Sequence, residues 1–131
     1  MIINTHLEIS EDLCGRVTEL LPGRCTLEFN PTAQMRVDAR GLVHGGFIFG
    51  AADYAAMLAI NDPYVVLARA EVRFMKPTRI GERLVFKAAT LADHPRRPSV
   101  EVHATDGTGD EVFRGVFSCA VLPRHVLDGA A

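Results

Sequence analysis

The sequence predicts a single α+β domain in which a curved antiparallel sheet of about five to six strands wraps around one long apolar helix. Three observations carry this expectation. From Gly41 to Asn61 the chain runs for 21 residues with one formal charge, Asp53. Two strand-like runs precede that stretch and four follow it, separated by turn residues. The length, 131 residues with 48% apolar and 23% charged, suits one domain that buries about two thirds of its unfolded surface and needs no disulfide or metal to fold. A helix apolar on nearly every face must be covered on nearly every face. A curling sheet covers most of it, and a second copy of the chain is the economical cover for the rest and for the sheet edges.

The elements follow in order. Glu8–Leu13, around Ser10, reads as a short helix. Arg16–Leu21 and Arg24–Phe29 read as a hairpin joined by Pro22-Gly23. Asn30–Val43 is irregular, punctuated by Pro31 and Gly41. The long helix opens at Gly45-Gly46 and ends before Asn61-Asp62-Pro63, because the residue ahead of a proline is pushed out of helical geometry. At roughly 20 residues the Gly41–Asn61 stretch is long enough for a membrane span. Four glycines, His44 and a mid-stretch Asp costing about 2.5–3.5 kcal/mol in a bilayer argue for a buried helix instead.

Tyr64–Lys76 alternates as a strand, with Leu67, Arg69, Glu71 and Arg73 on one side and Ala68, Ala70, Val72 and Phe74 on the other. Pro77–Gly81 is a turn. Glu82–Ala92, Pro98–Thr105 and Asp110–Leu122 are three further strands, separated by the hairpin-like Asp93–Arg97 and Asp106–Gly109. The domain is expected over 1–122, with 123–131 as a frayed tail.

Composition excludes several function classes. A net charge of −2 and a pI near 6.2 argue against a dedicated nucleic-acid binder. Cys14, Cys25 and Cys119 are odd in number and form no C-x-x-C, so they read as small core residues in a reducing compartment. The start MIINTHLEISED turns acidic instead of beginning basic and continuing apolar, so no signal peptide is expected there, and a cytoplasmic protein with no membrane partner is expected. No G-x-S-x-G, P-loop or G-x-G-x-x-G occurs, and His6, His94, His103 and His125 show no metal-ligand spacing.

Two features carry chemistry. Asp53 is a carboxylate in the middle of an apolar helix, costly to desolvate unless it is paired or used. It reads either as a core Asp, satisfied by a neighbouring hydroxyl or backbone N–H or facing a solvated crevice, or as a nucleophile or general base tuned by its surroundings. His44-Gly45-Gly46 opens that helix, where free N–H groups polarise a carbonyl oxygen and glycine admits close approach. The alternative is a tight entry into the helix with His44 packed beside it. Gly45 and Asp53 are eight residues apart, about 12 Å along one helix, too far to touch one reacting carbonyl. If both act on one bond they come from different subunits, so chemistry and burial ask for the same dimer.

With these residues in place, the sequence resembles the hotdog-fold acyl-CoA thioesterases, in particular the phenylacetate-pathway (PaaI-like) branch with its H-G-G-x6-D pattern. Here that pattern is His44-Gly45-Gly46 and Asp53. Phe74-Met75-Lys76-Pro77-Thr78-Arg79-Ile80-Gly81-Glu82 resembles the same family's F-x-x-P-x-x-x-G-D/E turn. The resemblance covers roughly Val37 to Leu122. It implies thioester hydrolysis to a carboxylic acid and free CoA, with CoA part of the substrate and no separate cofactor or metal. Asp53 would attack the carbonyl or activate water, the partner subunit's Gly45 amide would polarise the oxygen, and His44 would support the helix end. Substrate contacts are expected from Gly46, Asp38, Phe47, Tyr54 and Met57. Asp38 stands where the family often has an Asn, and an ionised carboxylate cannot donate a hydrogen bond.

The partners implied are an acyl-CoA and further copies of the chain, as a homodimer or dimer of dimers. Arg69, Glu71 and Arg73 read as an ion-paired strand face or a contact for the CoA nucleotide, and Arg96-Arg97 as a solvated turn or a phosphate contact. Two other readings stand beside the thioesterase. A hotdog dehydratase or hydratase is disfavoured because Asp38 and His44 do not form D-x-N-P-x-H. A non-catalytic acyl-CoA-binding module is disfavoured by Asp53, since binding alone gains little from a buried acid.

Overall fold

The computed structural model describes residues 1–91 and 94–129. After a short helix α1 (Glu11–Cys14) come strands β1 (Arg16–Leu21) and β2 (Arg24–Phe29), and then the long helix α2 (Gly45–Ile60). Strands β3 (Val65–Phe74), β4 (Leu84–Thr90), β5 (Ser99–Thr105) and β6 (Glu111–Val121) follow. They form one six-stranded sheet in the order β1-β2-β4-β5-β6-β3, with every neighbouring pair antiparallel. The helix packs against every strand of this sheet, so the expected helix rolled in a curved sheet is what the chain forms.

The local chemistry explains most boundaries. Gly23, at φ +76°, turns the β1–β2 hairpin, where no side-chain-bearing residue sits easily. Asn61 ends α2 in the left-handed conformation (φ 57°, ψ 37°), its N–H bonded to the Met57 carbonyl. Its side chain accepts the Asn4 N–H at 2.7 Å and donates to the Ile2 carbonyl at 2.8 Å, fastening the N-terminal segment to the helix end. No helix among the described residues is long and apolar enough to cross a membrane.

Four expectations need adjustment. The short helix starts after Ser10 rather than at Glu8, because Ser10 is extended (φ −84°, ψ 117°) and accepts the Cys14 N–H. The strand expected over Glu82–Ala92 is regular only over Leu84–Thr90; Ala92 and Asp93 lie outside the described residues, as do Ala130 and Ala131 of the tail. Within the tail, Val126–Asp128 form a 3-10 turn in which His125 Nδ1 accepts the Leu127 N–H. The face assignment in β3 fails in its first half. The β3–β6 register shifts between Leu67 and Arg69, so Ala68 is an extra, exposed residue. Leu67 therefore packs on the core with Ala70 and Val72, instead of facing out with Arg69, Glu71 and Arg73.

The core lies between α2 and the sheet. Ala51, Ala52, Ala55, Ala56 and Ala59 are all buried, small enough to bring the helix backbone close to the strands. Phe29, Phe86, Phe113 and Phe117 fill the sheet side, linked by ring contacts of 6.1–6.4 Å, and Phe74 joins this chain edge-on to Phe113 at 5.3 Å. One helix face escapes this cover: Gly46, Gly50 and Asp53, at i, i+4 and i+7, are not buried, and a Cβ on Gly50 would meet nothing within 4 Å.

Candidate active site

The start of α2 is held by backbone bonds and not by a side-chain cap. His44 is the N-cap residue, in extended geometry, and its N–H bonds the Met35 carbonyl at 2.9 Å. Its exposed ring stands edge-on to Phe47 at 5.9 Å. It also lies over Gly46, where a Cβ would come within 3.0 Å of the imidazole. No His44 side-chain bond reaches the helix N–H groups, so the first N–H groups of α2 keep their capacity to meet a ligand oxygen.

Gly45 opens onto a cleft of about 270 Å³ that it shares with Val43, Ile48, Phe74, Thr78 and Val112. A Cβ on Gly45 would stand 3.4 Å from the Phe74 ring, so glycine keeps this approach open. The cleft is assembled from α2, the end of β3, the turn after it and the start of β6. Phe74, Thr78 and Val112 were not singled out as site residues from sequence. The F-x-x-P turn was the only signal that pointed to that region.

Asp53 sits well along the helix from the cleft. Its Oδ1 is buried and has no hydrogen-bond partner among the described residues. Burial pushes its carboxyl up to about 6 from the usual 3.8. The neighbouring hydroxyl or backbone N–H that a purely structural Asp would use is thus not there for Oδ1. Cys14, from α1, lies within electrostatic reach: burial, and then the Asp53 charge, push its thiol up. Nothing in the sequence linked these two residues.

The other expected contacts are dispersed. Tyr54 and Met57 are 5% and 1% exposed and belong to the core, Tyr54 with its ring 6.3 Å from His6. Phe47 is half-buried beside His44. Asp38 lies in an exposed turn, where its Oδ1 accepts the Arg40 N–H at 3.0 Å and the Leu42 N–H at 3.3 Å. An acceptor is what that turn requires, so the carboxylate at this position is occupied with its own backbone. The structure brings Gly45, Gly46, His44 and Phe47 together at the helix start and keeps Asp53 apart from them in the same chain. Among the described residues, no group of three or more His, Cys, Asp and Glu is arranged to hold a metal ion.

A family model described as the thioesterase superfamily matches residues 40–113, which include the helix start, Asp53 and the Phe74–Glu82 turn. The chain belongs to the thioesterase superfamily. Its fold is the hotdog arrangement that the resemblance implied. Over 98% of its length it superposes on 98% of protein PH1136 of Pyrococcus horikoshii, with a TM-score of 0.95 and 45% identity. A mutant of the phenylacetic acid degradation protein PaaI from Thermus thermophilus superposes over 86% of this chain and 96% of its own, with a TM-score of 0.77 and 26% identity. Among curated proteins, the chain is 44% identical over 122 residues to methylthioribose-1-phosphate isomerase of Aquifex aeolicus, matching 93% of itself but 26% of the isomerase. It is 29% identical over 110 residues to the transcription factor FapR of Shouchella clausii, matching 82% of itself and 56% of FapR. The chain thus spans about a quarter of the one relative and just over half of the other.

Proposed function

We propose that this thioesterase-superfamily chain hydrolyses an acyl-CoA, as a homodimer in which each site takes Asp53 from one subunit and the Gly45 amide from the other. The observation that carries the reading is the buried, unpartnered Oδ1 of Asp53, with a carboxyl pushed up to about 6. A carboxylate oxygen buried without a hydrogen bond is costly, and such groups cluster at reactive sites. Asp53 and Gly45 lie on one continuous helix, about 12 Å apart, so a shared carbonyl requires two chains. The open Gly46–Gly50–Asp53 face of α2 and the unpaired edge of β3 are where a second copy completes the site.

In the reaction, the partner subunit's Gly45 N–H polarises the thioester oxygen. Asp53 either attacks the carbonyl carbon, giving an acyl-carboxylate that water then hydrolyses, or takes a proton from the attacking water. The C–S bond breaks, the acyl group leaves as a carboxylic acid, and the CoA sulfur takes up a proton. This chemistry calls for no metal or further cofactor. Three free thiols fit a reducing cytoplasm.

The test is release of free thiol from a panel of acyl-CoAs by the wild type and Asp53→Asn. Turnover by the wild type and its loss in the variant supports the reading; equal turnover by both removes Asp53 from it. The similarity to FapR, named as a transcription factor and not as a hydrolase, favours one second reading, a ligand-binding module of this fold without turnover. That outcome is marked by acyl-CoA binding with no thiol released from any acyl chain.

A further inference from the structure

Strand β3 ends the sheet, and no strand among the described residues lies on its outer side. Its free N–H and C=O groups are a template for another strand. Past the extra residue Ala68, Arg69–Phe74 pair without a break against β6, from Ser118 to Phe113. Arg69, Glu71 and Arg73 stand exposed on the outer face, while Ala70 and Val72 pack on the core. The edge therefore carries a positive, negative, positive pattern on one face, with Arg69 bonded to Glu71 at 2.6 Å.

A second copy added antiparallel to this edge by a two-fold axis has few registers open to it. Directly opposed residues share a face, so the axis passes through a residue and not between two. Centred on Arg69, Glu71 or Arg73, it sets like charges against each other. Centred on Phe74, it sets Glu71 against the partner's Pro77, which has no N–H to donate. Centred on Ala70, it sets Arg69 against the partner's Glu71, but Val72 then meets the partner's extra residue Ala68 and the ladder stops. Centred on Val72, it sets Glu71 against the partner's Arg73 twice, and Ala70 against the partner's Phe74, with the bulge left outside the ladder.

The site gives an independent measure of the same register. Strand β3 runs back along α2 after the 61–64 connection, and Phe74 stands beside Gly45. Asp53 lies about 12 Å along the helix from Gly45. Ala70, four residues before Phe74, lies about 13 Å back along the strand, level with Asp53. In the Val72 register the partner's Phe74 faces Ala70, so the partner's Gly45 arrives level with Asp53. In the Ala70 register the partner's Phe74 is level with Val66, about 13 Å too far along.

We propose that two copies of this chain pair β3 with β3, antiparallel, with the two-fold axis at Val72 and Glu71 opposite the partner's Arg73. The proposal rests on the homodimeric reading above and fixes its register. Charge, the bulge and the spacing of Gly45 and Asp53 each select Val72 over Ala70 or over the like-charged axes.

Cysteines on the exposed face measure the register, because a disulfide needs Cα atoms roughly 4.4–6.8 Å apart, as opposed residues are. An equimolar mixture of the Glu71→Cys and Arg73→Cys proteins, mildly oxidised, is expected to give the mixed disulfide dimer on a non-reducing gel. Arg69→Cys mixed with Glu71→Cys reports the Ala70 axis and Glu71→Cys alone the Glu71 axis, and neither is expected to cross-link above the wild type with its three native thiols. Charge reversal tests the contact in solution. At low salt, Glu71→Arg and Arg73→Glu are each expected to weaken self-association by roughly 10-fold, and Glu71→Arg/Arg73→Glu to recover most of the loss. Cross-linking through another pair, no cross-linking at all, or a double reversal no tighter than the single ones would each overturn the proposal. Failure of the hydrolysis reading is seen separately, as no thiol release from any acyl-CoA by the wild type, whichever cysteines cross-link.

Discussion

The carboxyl of Asp53 makes a stability prediction that is independent of catalysis. In the unfolded chain it loses its proton near 3.8, and in the folded chain near 6 because of burial. Below pH 3.8 both states carry the proton, and well above 6 neither does. Between these values the folded chain binds more protons than the unfolded one, so this group's contribution to stability falls as pH rises and stays at its low level above about 6. At ~1.4 kcal/mol per pH unit the full difference is roughly 3 kcal/mol, and the residual exposure of the side chain reduces it to about 2 kcal/mol. Asp53→Asn is nearly isosteric and does not titrate, so it lacks this slope. Urea unfolding of both proteins at fixed protomer concentration from pH 4 to 7.5 is the assay. The variant is expected to gain about 2 kcal/mol relative to the wild type across that window, whatever its offset at pH 4. Two stability curves that stay parallel from pH 4 to 7.5 would refute the claim that Asp53 is held without a compensating partner.

What the sequence disclosed depended on how local the cause was. The β1–β2 hairpin was legible to the residue because Pro22-Gly23 sets the turn and the two runs flank it. The helix was legible because Asn61-Asp62-Pro63 stops it and its apolar run is long. The extra residue at Ala68 was not, because β3 alone reads as a clean alternation and the shift exists only against β6. Of the site, Asp53 and the glycines stood out as misfits in an apolar run. The cleft did not, because Val43, Phe74, Thr78 and Val112 meet only through tertiary folding. Asp38 was read for what it cannot donate, while its position in the turn uses what it accepts. A carboxylate and an amide offer the same oxygen to those two N–H groups, so the turn itself does not distinguish Asp from Asn there.

Four further predictions test other parts of the argument. Under the thioesterase reading the ionised form of Asp53 acts, so kcat/KM should rise with pH through about 6 and level off; an acid limb near pH 4 would contradict the burial argument. Gly115→Ala should lower stability by roughly 1–3 kcal/mol in urea unfolding, since its Cβ would lie 2.7 Å from Val72 Cγ1 and 3.0 Å from the Glu71 carbonyl; a change under about 0.5 kcal/mol would show that β3 and β6 yield there. Asn61→Ala should cost about 1–3 kcal/mol, from the left-handed backbone and two lost bonds, and should speed hydrogen exchange at the Asn4 amide; unchanged exchange would mean the N-terminal segment is held elsewhere. The last concerns the open face of α2. Gly50 lies between Gly46 and Asp53, and a Cβ there would meet nothing within 4 Å, so Gly50→Leu removes a helix-interior glycine at a position open at Cβ. The single chain should therefore be as stable as the wild type or up to about 1 kcal/mol more so. Any second copy that covers this face must instead make room for an isobutyl group, so light scattering should show weakened self-association and thiol release should fall with it. A Gly50→Leu protein that keeps both its assembly and its turnover would place the partner on some other face and leave Asp53 and Gly45 without a shared carbonyl.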